Sequence, residues 1–323
     1  MNERVSTVAD VRRDGILARL SAWLSQERVF KWIPFVMVEG MIICVLIIPF
    51  ILTIYISFLR WRANRPFEQA YLSGFRNYEA VLTDSGFWAS LGRTFYFAGF
   101  AVIFELIIGF VLAMLVHRIV AGRRIYITLF LIPMMVVPVV AGYNFSMIYL
   151  DSGPLNQLLS PLTSFLGINP RIRWLSDPLA AQWAIILADI WQWTSLTFLI
   201  FLSGFSSLPP QLINAARIMG ASRGQIFLWV ELPLLKPAIV IAVVIRSMEA
   251  LKLFDPVVLL TFGGPGTSTQ TIAYYLWEQV WQFNKFAFGA AASVLVVILF
   301  SFLIFFGIYL LGRQGDAVER GEV

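Results

Sequence analysis

The sequence predicts an all-α integral membrane protein with six transmembrane helices, on three observations. Of 323 residues, 59% are hydrophobic and only 13% charged, with a mean hydropathy of +0.78. Six mostly apolar stretches lie near 33–58, 92–116, 125–150, 178–203, 234–262 and 286–311. Each is long enough to cross about 30 Å of hydrocarbon. Lysine and arginine also gather at alternate span ends, the positive-inside pattern. A soluble domain carries about 45–50% apolar and about 25% charged residues. The composition therefore excludes a cytosolic enzyme, a secreted disulfide scaffold and a disordered chain.

Residues 1–32 are too polar for the apolar core of a cleavable signal, and they hold Arg4, Arg12, Arg13, Arg19, Arg28 and Lys31. They are read as a cytoplasmic N-terminal segment. Ile16, Leu17, Leu20, Trp23 and Leu24 give residues 11–30 the amphipathic character of a helix lying on the bilayer. With the N-terminus inside, the inner segments add Arg118, Arg123, Arg124, Arg217, Arg223, Lys236, Arg313 and Arg320. The outer segments hold Arg60, Arg62, Arg65, Arg76, Arg171, Arg173 and Lys285. Fourteen inner against seven outer places both termini, including the tail 312–323, in the cytoplasm. The cluster at 60–65 opposes the rule locally.

The membrane domain, 33–311, offers little chemistry. Cys44 is the only cysteine and His117 the only histidine, which excludes a disulfide and any multi-histidine metal centre. Cys44 is expected to pack and His117 to sit at the cytoplasmic interface. Gly-Lys occurs nowhere, so the chain has no P-loop; ATP and its Mg²⁺ would have to be bound by another chain. Gly263-Gly264-Pro265-Gly266 lacks the lysine of a phosphate loop and is expected to form a rigid outer turn. No catalytic constellation and no metal site is expected. A membrane enzyme would need such a constellation at the bilayer surface.

Ionisable residues inside a span cost roughly 2.5–3.5 kcal/mol at mid-bilayer and usually face the bundle interior or water. The candidates are Glu39, Glu105, Asp189, Arg246, Glu249, Lys252 and Asp255. The last four recur every three residues with alternating sign. Arg246–Glu249 and Lys252–Asp255 are expected as i, i+3 pairs on a polar stripe of the fifth span. Two readings stand: a network fastening that span to its neighbours, or part of a solute path. Asp189 or Glu105 would also serve an ion-coupled secondary transporter. Many such carriers have repeated halves, and no internal repeat is visible here.

The longest inner loop, 206–233, carries the most specific signal. Ser206 or Ser207 offers an N-cap, and Pro209 and Pro210 suit a first helical turn. Leu212, Ala215, Ala216 and Met219 give one apolar face at helical spacing. Gly220 then permits a sharp break, and a second short helix around Ser222–Val230 leads to Pro233. Ala215-Ala216, three residues, Gly220, nine residues, Val230, one residue, Leu232-Pro233 resembles the coupling loop of permease subunits of binding-protein-dependent ABC importers. Phe75-Arg76-Asn77-Tyr78 with Phe87-Trp88, Glu105-Leu106 with Gly109, and Phe254-Asp255 with Leu260-Thr261 and the Gly263 turn are similar to other segments of that family. The resemblance covers about residues 30–311. It is strongest to the first permease of sugar and sugar-alcohol importers, of the maltose, trehalose and glycerol-phosphate type.

That resemblance implies a type I importer fold with a cytoplasmic coupling helix, in the plasma membrane of a bacterium. It implies partners as well: a second six-span permease, two ATPase subunits, a soluble solute-binding protein and a sugar substrate, with membrane lipid around them and no nucleic acid. Asn214, Ala215, Ala216, Arg217, Met219 and Gly220 would meet the ATPase. Asn214 stands where the family has glutamate, and Met219 and Gln211 where acids are usual. Docking is then expected to rest on Ala215, Ala216, Ile218 and Met219, with Arg217 or Arg223. A sugar path needs aromatic faces with convergent polar groups. Asp189, Trp191, Gln192 and Trp193 in span four, and Tyr143 and Asn144 in span three, are candidates beside Arg246, Glu249, Lys252 and Asp255. The tryptophans would equally serve packing or an interfacial belt.

Overall fold

The computed structural model describes residues 27–319, except 63, 120, 166 and 168–171. Up to residue 26, the amphipathic N-terminal segment lies outside the described residues. The first span joins α1 (Glu27–Ile42) to α2 (Ile48–Ser57) through a π-helical turn, Ile43–Ile47. A small hairpin follows, β1 (Leu59–Arg60) against β2 (Tyr71–Leu72), antiparallel with Leu59 opposite Leu72. Next come α3 (Arg76–Leu82), α4 (Ser85–Arg118), α5 (Arg123–Met135), α6 (Pro138–Ile148), α7 (Pro154–Phe165) and α8 (Pro178–Ser206). The chain continues through α9 (Pro210–Ile218), α10 (Arg223–Ile226), a π-helical turn at Phe227–Glu231, α11 (Leu232–Leu234) and α12 (Lys236–Ala250). It ends with α13 (Asp255–Leu260), α14 (Ile272–Trp277) and α15 (Phe286–Glu319).

Four helices are long and apolar enough to cross a bilayer unbroken: Phe35–Ser57, Ser85–Arg118, Pro178–Ser206 and Phe286–Tyr309. Two bent helix pairs, at the positions expected for the third and fifth spans, bring the number to six if each is one span. Arg123–Met135 meets Pro138–Ile148 at 93°, and Arg223–Leu234 meets Lys236–Ala250 at 59°. The breaks have local causes. Pro138 forces Val137 into extended backbone and starts the next helix. Pro233 and Pro237 flank Leu235 at the other bend. The fifth span also stops at Ala250, so α13 is a separate helix, not its continuation to residue 262.

Capping fixes the helix starts. The Asp84 carboxylate accepts from Phe87 N at 2.9 Å, and Asp177 Oδ1 accepts from Leu179 N and Ala180 N, both at 3.0 Å. Each satisfies amides that a helix N-terminus leaves unpaired. The first span is held mainly at its end. Asn77 Nδ2 donates to the carbonyls of Ser57 and Leu59, both at 2.7 Å. None of its most apolar stretch is buried within the chain. Cys44, expected to pack, is exposed there. Its π-helical turn lies on a span that offers its side chains outward.

The core is the crossing of α4 and α8, with α12 and α5 laid against them. One apolar cluster, around Phe97, Ala101, Ile185, Ala188, Leu253 and Val257, fills one end. Another, around Val116, Phe198, Phe201, Phe205, Leu235 and Ala242, fills the other. Gly109 permits the close approach. A Cβ there would collide with Thr197 Oγ1 and lie 2.8 Å from the Phe198 backbone nitrogen. Small residues at such contacts are how helices pack where lipid removes the hydrophobic drive.

Gly109→Val is expected to destabilise the purified protein by about 1–3 kcal/mol, the usual cost of overpacking. Gly92→Val, where a Cβ meets nothing within 4 Å, is the control. Thermal unfolding in detergent measures both.

Candidate functional site

Between the two apolar clusters sit three charged side chains from three spans. Arg246 on α12 is 1% exposed, Glu105 on α4 is 0% and Asp189 on α8 is 4%. Arg246 grips Glu105 with two bonds, Nε to Oε2 and Nη2 to Oε1, the second at 2.7 Å. Nη2 also donates to Asp189 Oδ2 at 2.8 Å. The planar guanidinium suits this forked geometry. The ring of Trp193 lies 5.3 Å from the guanidinium carbon, a cation–π contact. Thr197 Oγ1 donates to the Glu105 carbonyl at 2.8 Å, tying α8 to α4 beside the triad.

This arrangement corrects the expected pairing of the fifth span. Arg246 bonds across the bundle and not to Glu249; Lys252 bonds Glu249 at 2.8 Å and not Asp255. Arg246 turns into the buried core while Glu249 faces the surface, and the helix end at Ala250 separates Lys252 from Asp255. Asp255 opens α13 and is exposed, so the alternating charges do not share one helix face. Glu249 and Lys252 form a surface pair, with side chains 41% and 63% exposed.

The other candidates divide in the same way. Gln192 is buried, and its Nε2 donates to the Val136 carbonyl at 2.9 Å. That carbonyl is freed by the break in the third span, and a freed backbone group at bilayer depth needs a partner. Trp193 belongs to the triad. Trp191 is exposed on α8 and meets Phe145 edge-on, with centroids 5.3 Å apart. Tyr143 and Asn144 are exposed on α6. Tyr149 is buried and donates to the Ala184 carbonyl at 2.9 Å. Glu105 was visible as an in-span acid, but nothing in its local sequence names a partner 141 positions away.

The segment after α8 forms a second feature. Ser206 and Ser207 do not cap α9. They close α8, their hydroxyls donating to the carbonyls of Leu202 and Gly204. α9 ends in a Schellman motif: Gly220 N donates to Arg217 O and Ala221 N to Ala216 O, both at 3.1 Å. Gly220 has φ +86, and a Cβ there would meet nothing within 4 Å, so the constraint is conformational. Ser222 and Gln225 then make a reciprocal capping box that starts α10. Two capped helix ends thus fix the backbone of the turn between α9 and α10.

The apolar face of α9 also needs correcting. Ala216 is buried, with Ile213 packed on the cluster beneath, whereas Ala215, Arg217, Ile218 and Met219 point outward. Ala216 therefore seats the turn against the bundle. Ile218 and Met219 are 87% and 81% exposed, and Trp229 77%. Asn214 and Arg223 are exposed as well. Arg123 Nη2 donates to Ser206 Oγ at 3.0 Å, anchoring the segment to the start of the third span. His117 stacks on Phe205 at 5.5 Å.

At the end of the bundle opposite the Gly220 turn, the glycine-rich turn is tied down. Thr269 Oγ1 donates to the Gly264 carbonyl at 2.8 Å, and Gln182 Nε2 donates to Ser268 O at 2.9 Å. Gln270 Nε2 donates to Glu278 at 2.7 Å. Burial pushes the Glu278 carboxyl above the usual carboxylate range, opposed by that hydrogen bond.

Comparison with known proteins decides the class of this architecture. Residues 105–314 match the family described as binding-protein-dependent transport system inner membrane component. The chain belongs to that family. It is 34% identical over 255 residues to the trehalose/maltose transport system permease protein MalF of Thermococcus litoralis, covering 79% of this chain and 84% of that one. It is 30% identical over 301 residues to the sulfoquinovosyl glycerol transport system permease protein SmoG of Agrobacterium fabrum, covering 93% and 95%. Its fold matches a chain of a bacterial ABC transporter that imports the acidic polysaccharide alginate, with a TM-score of 0.73 at 20% identity over 96% of this chain and 99% of that one. The chain is thus a multi-pass membrane permease component with the ABC importer fold. Glu105 and Asp189, which an ion-coupled carrier would need free, are both held by Arg246.

Breaking the triad on one side leaves carboxylates buried without their counter-charge. Arg246→Met is expected to cost the permease about 3–5 kcal/mol. Adding Glu105→Gln and Asp189→Asn to that variant should recover part of the loss. Thermal unfolding of the three-fold variant against Arg246→Met checks this.

Proposed function

We propose that this permease pairs with a second one to import a sugar or polyol, driven by ATPase subunits that seat on the Gly220 turn, with both termini in the cytoplasm. The observation that carries the reading is the turn itself. The turn, fixed by a Schellman motif and a capping box, presents Ile218 and Met219 to the outside with their side chains almost wholly exposed. Exposed apolar side chains on a rigid scaffold are what a docking contact requires. The segment leaving the turn runs through α10 and α11 into α12, which carries Arg246. A displacement at the turn has a short, helical route to the triad.

The curated relatives support the sugar class, since their names give trehalose, maltose and sulfoquinovosyl glycerol transport. Residues 209–224 form the ATPase seat in this reading, with Ala215, Arg217, Ile218 and Met219 in contact and Asn214 at its rim. The solute path runs along the exposed faces of α6, α8 and α12. Tyr143, Asn144 and Trp191 supply aromatic and amide contacts there, and Glu249 and Lys252 supply charge. A soluble receptor delivers the sugar at the end of the bundle bearing the Gly263 turn.

Gly220→Val forces a β-branched residue into a left-handed backbone, at about 1–2 kcal/mol. Loss of co-purifying ATPase and of ATP-dependent uptake is expected; survival of both would refute the seat. Asn144→Ala and Glu249→Ala, at normal expression, are expected to lower sugar uptake severalfold to about tenfold, the worth of a lost hydrogen bond. Unchanged uptake removes either residue from the path.

A further inference from the structure

Four cations converge at the end of the bundle opposite the Gly220 turn. Arg60, Arg62 and Arg65 come from the hairpin after the first span, the cluster that opposes the positive-inside pattern. Lys285 precedes the last span. Together they line a pocket of about 700 Å³ whose floor includes Ala287 and Phe288. Among the described residues, the only carboxylate on its wall is Asp84, which caps α4 through Phe87 N. Among the described residues, no ion pair joins any of the four cations to a carboxylate. Lys285 Nζ bonds only the neutral Gln279, at 3.1 Å, and lies 5.6 Å from the rings of Phe283 and Phe288.

The pocket sits at headgroup depth. Phe286–Tyr309 is 24 residues long, about 36 Å at 1.5 Å per residue, so Lys285 and Phe286 lie at the margin of a hydrocarbon layer about 30 Å thick. Trp61 packs edge-on to Phe286 and Phe67, at 5.4 and 5.3 Å, and its indole N–H donates to Arg65 O at 3.0 Å. Such aromatic rings mark the membrane interface. The pocket lies between the first and last spans, whereas the candidate path residues are on α6, α8 and α12. None of the most apolar stretch of the first span is buried within the chain.

We propose that this pocket binds the phosphate of an anionic phospholipid in the leaflet at this end of the bundle. Guanidinium forks suit phosphate oxygens, and basic pockets at the interface recognise anionic headgroups. The unbalanced positive charge attracts the headgroup, and the Trp61–Phe286 rim meets its glycerol and upper acyl chain. A free phosphate shares the headgroup's charge but has no acyl chain to engage that rim.

The test uses the intact transporter purified in detergent. Its thermal unfolding is followed on adding dioleoyl phosphatidylglycerol, dioleoyl phosphatidylcholine or inorganic phosphate. Phosphatidylglycerol alone is expected to raise the midpoint, and the R62Q/R65Q/K285Q variant to need at least about tenfold more of it. Equal shifts with both lipids, or an unaltered response in the variant, overturn the proposal. So does an equal shift with inorganic phosphate, which assigns the pocket to free anions. A variant that loses receptor affinity while keeping its lipid response makes the pocket a protein-docking surface and also overturns it. Should the triple variant fail to assemble, retained phosphatidylglycerol is counted by native mass spectrometry on wild type and on K285Q, and equal retention refutes the site.

Discussion

Arg246, held between Glu105 and Asp189, is the interaction on which the bundle depends. A guanidinium cannot shed its charge, so a buried one must be met by acid. Here the acids arrive from two other spans, and the triad therefore fixes the relative depth and rotation of α4, α8 and α12 at once. Its neighbours conform to it. Thr197 ties α8 to the Glu105 carbonyl, Gly109 lets the two helices touch, and Trp193 covers the guanidinium. Apolar clusters close the triad off toward either end. In lipid, where burying leucine against leucine gains little, such polar and close-packed contacts select one arrangement.

The bends at the third and fifth spans are the other constraint, because a broken helix exposes backbone where no water can satisfy it. Gln192 resolves this at the third span by donating to the freed carbonyl of Val136. At the fifth span the bend lies between the Gly220 turn and Arg246. One continuous stretch, α10 to α12, therefore joins the exposed turn to the buried triad. The turn at the surface and the triad in the core are thus joined by a helical stretch bent by 59°.

Much of this was legible in the amino-acid order. Scarcity of charge named the solvent, runs of apolar residues marked the candidate spans, and the spacing from Ala215 to Pro233 pointed to the family. The left-handed turn at Gly220 followed from local chemistry alone, as did the Ser222 start of the next helix. These features depend on near neighbours, and near neighbours are what a sequence records. The same logic misjudged Ser206 and Ser207, because a serine that can open one helix can equally close the one before it.

Only the tertiary structure decided which charges meet. Along the fifth span, alternating charges every three residues suggested local pairs, yet the helix ends at Ala250 and Arg246 reaches acids on two other helices. The structure likewise turned Ala216 inward beside outward-facing Ala215, and brought Lys285 to the arginines of a distant hairpin. The sequence by itself determined the solvent and the turn, since these follow from composition and from forces acting over a few residues. Partner choice for buried charge belongs to the fold: electrostatic interaction acts through space, and space is set by how the helices cross.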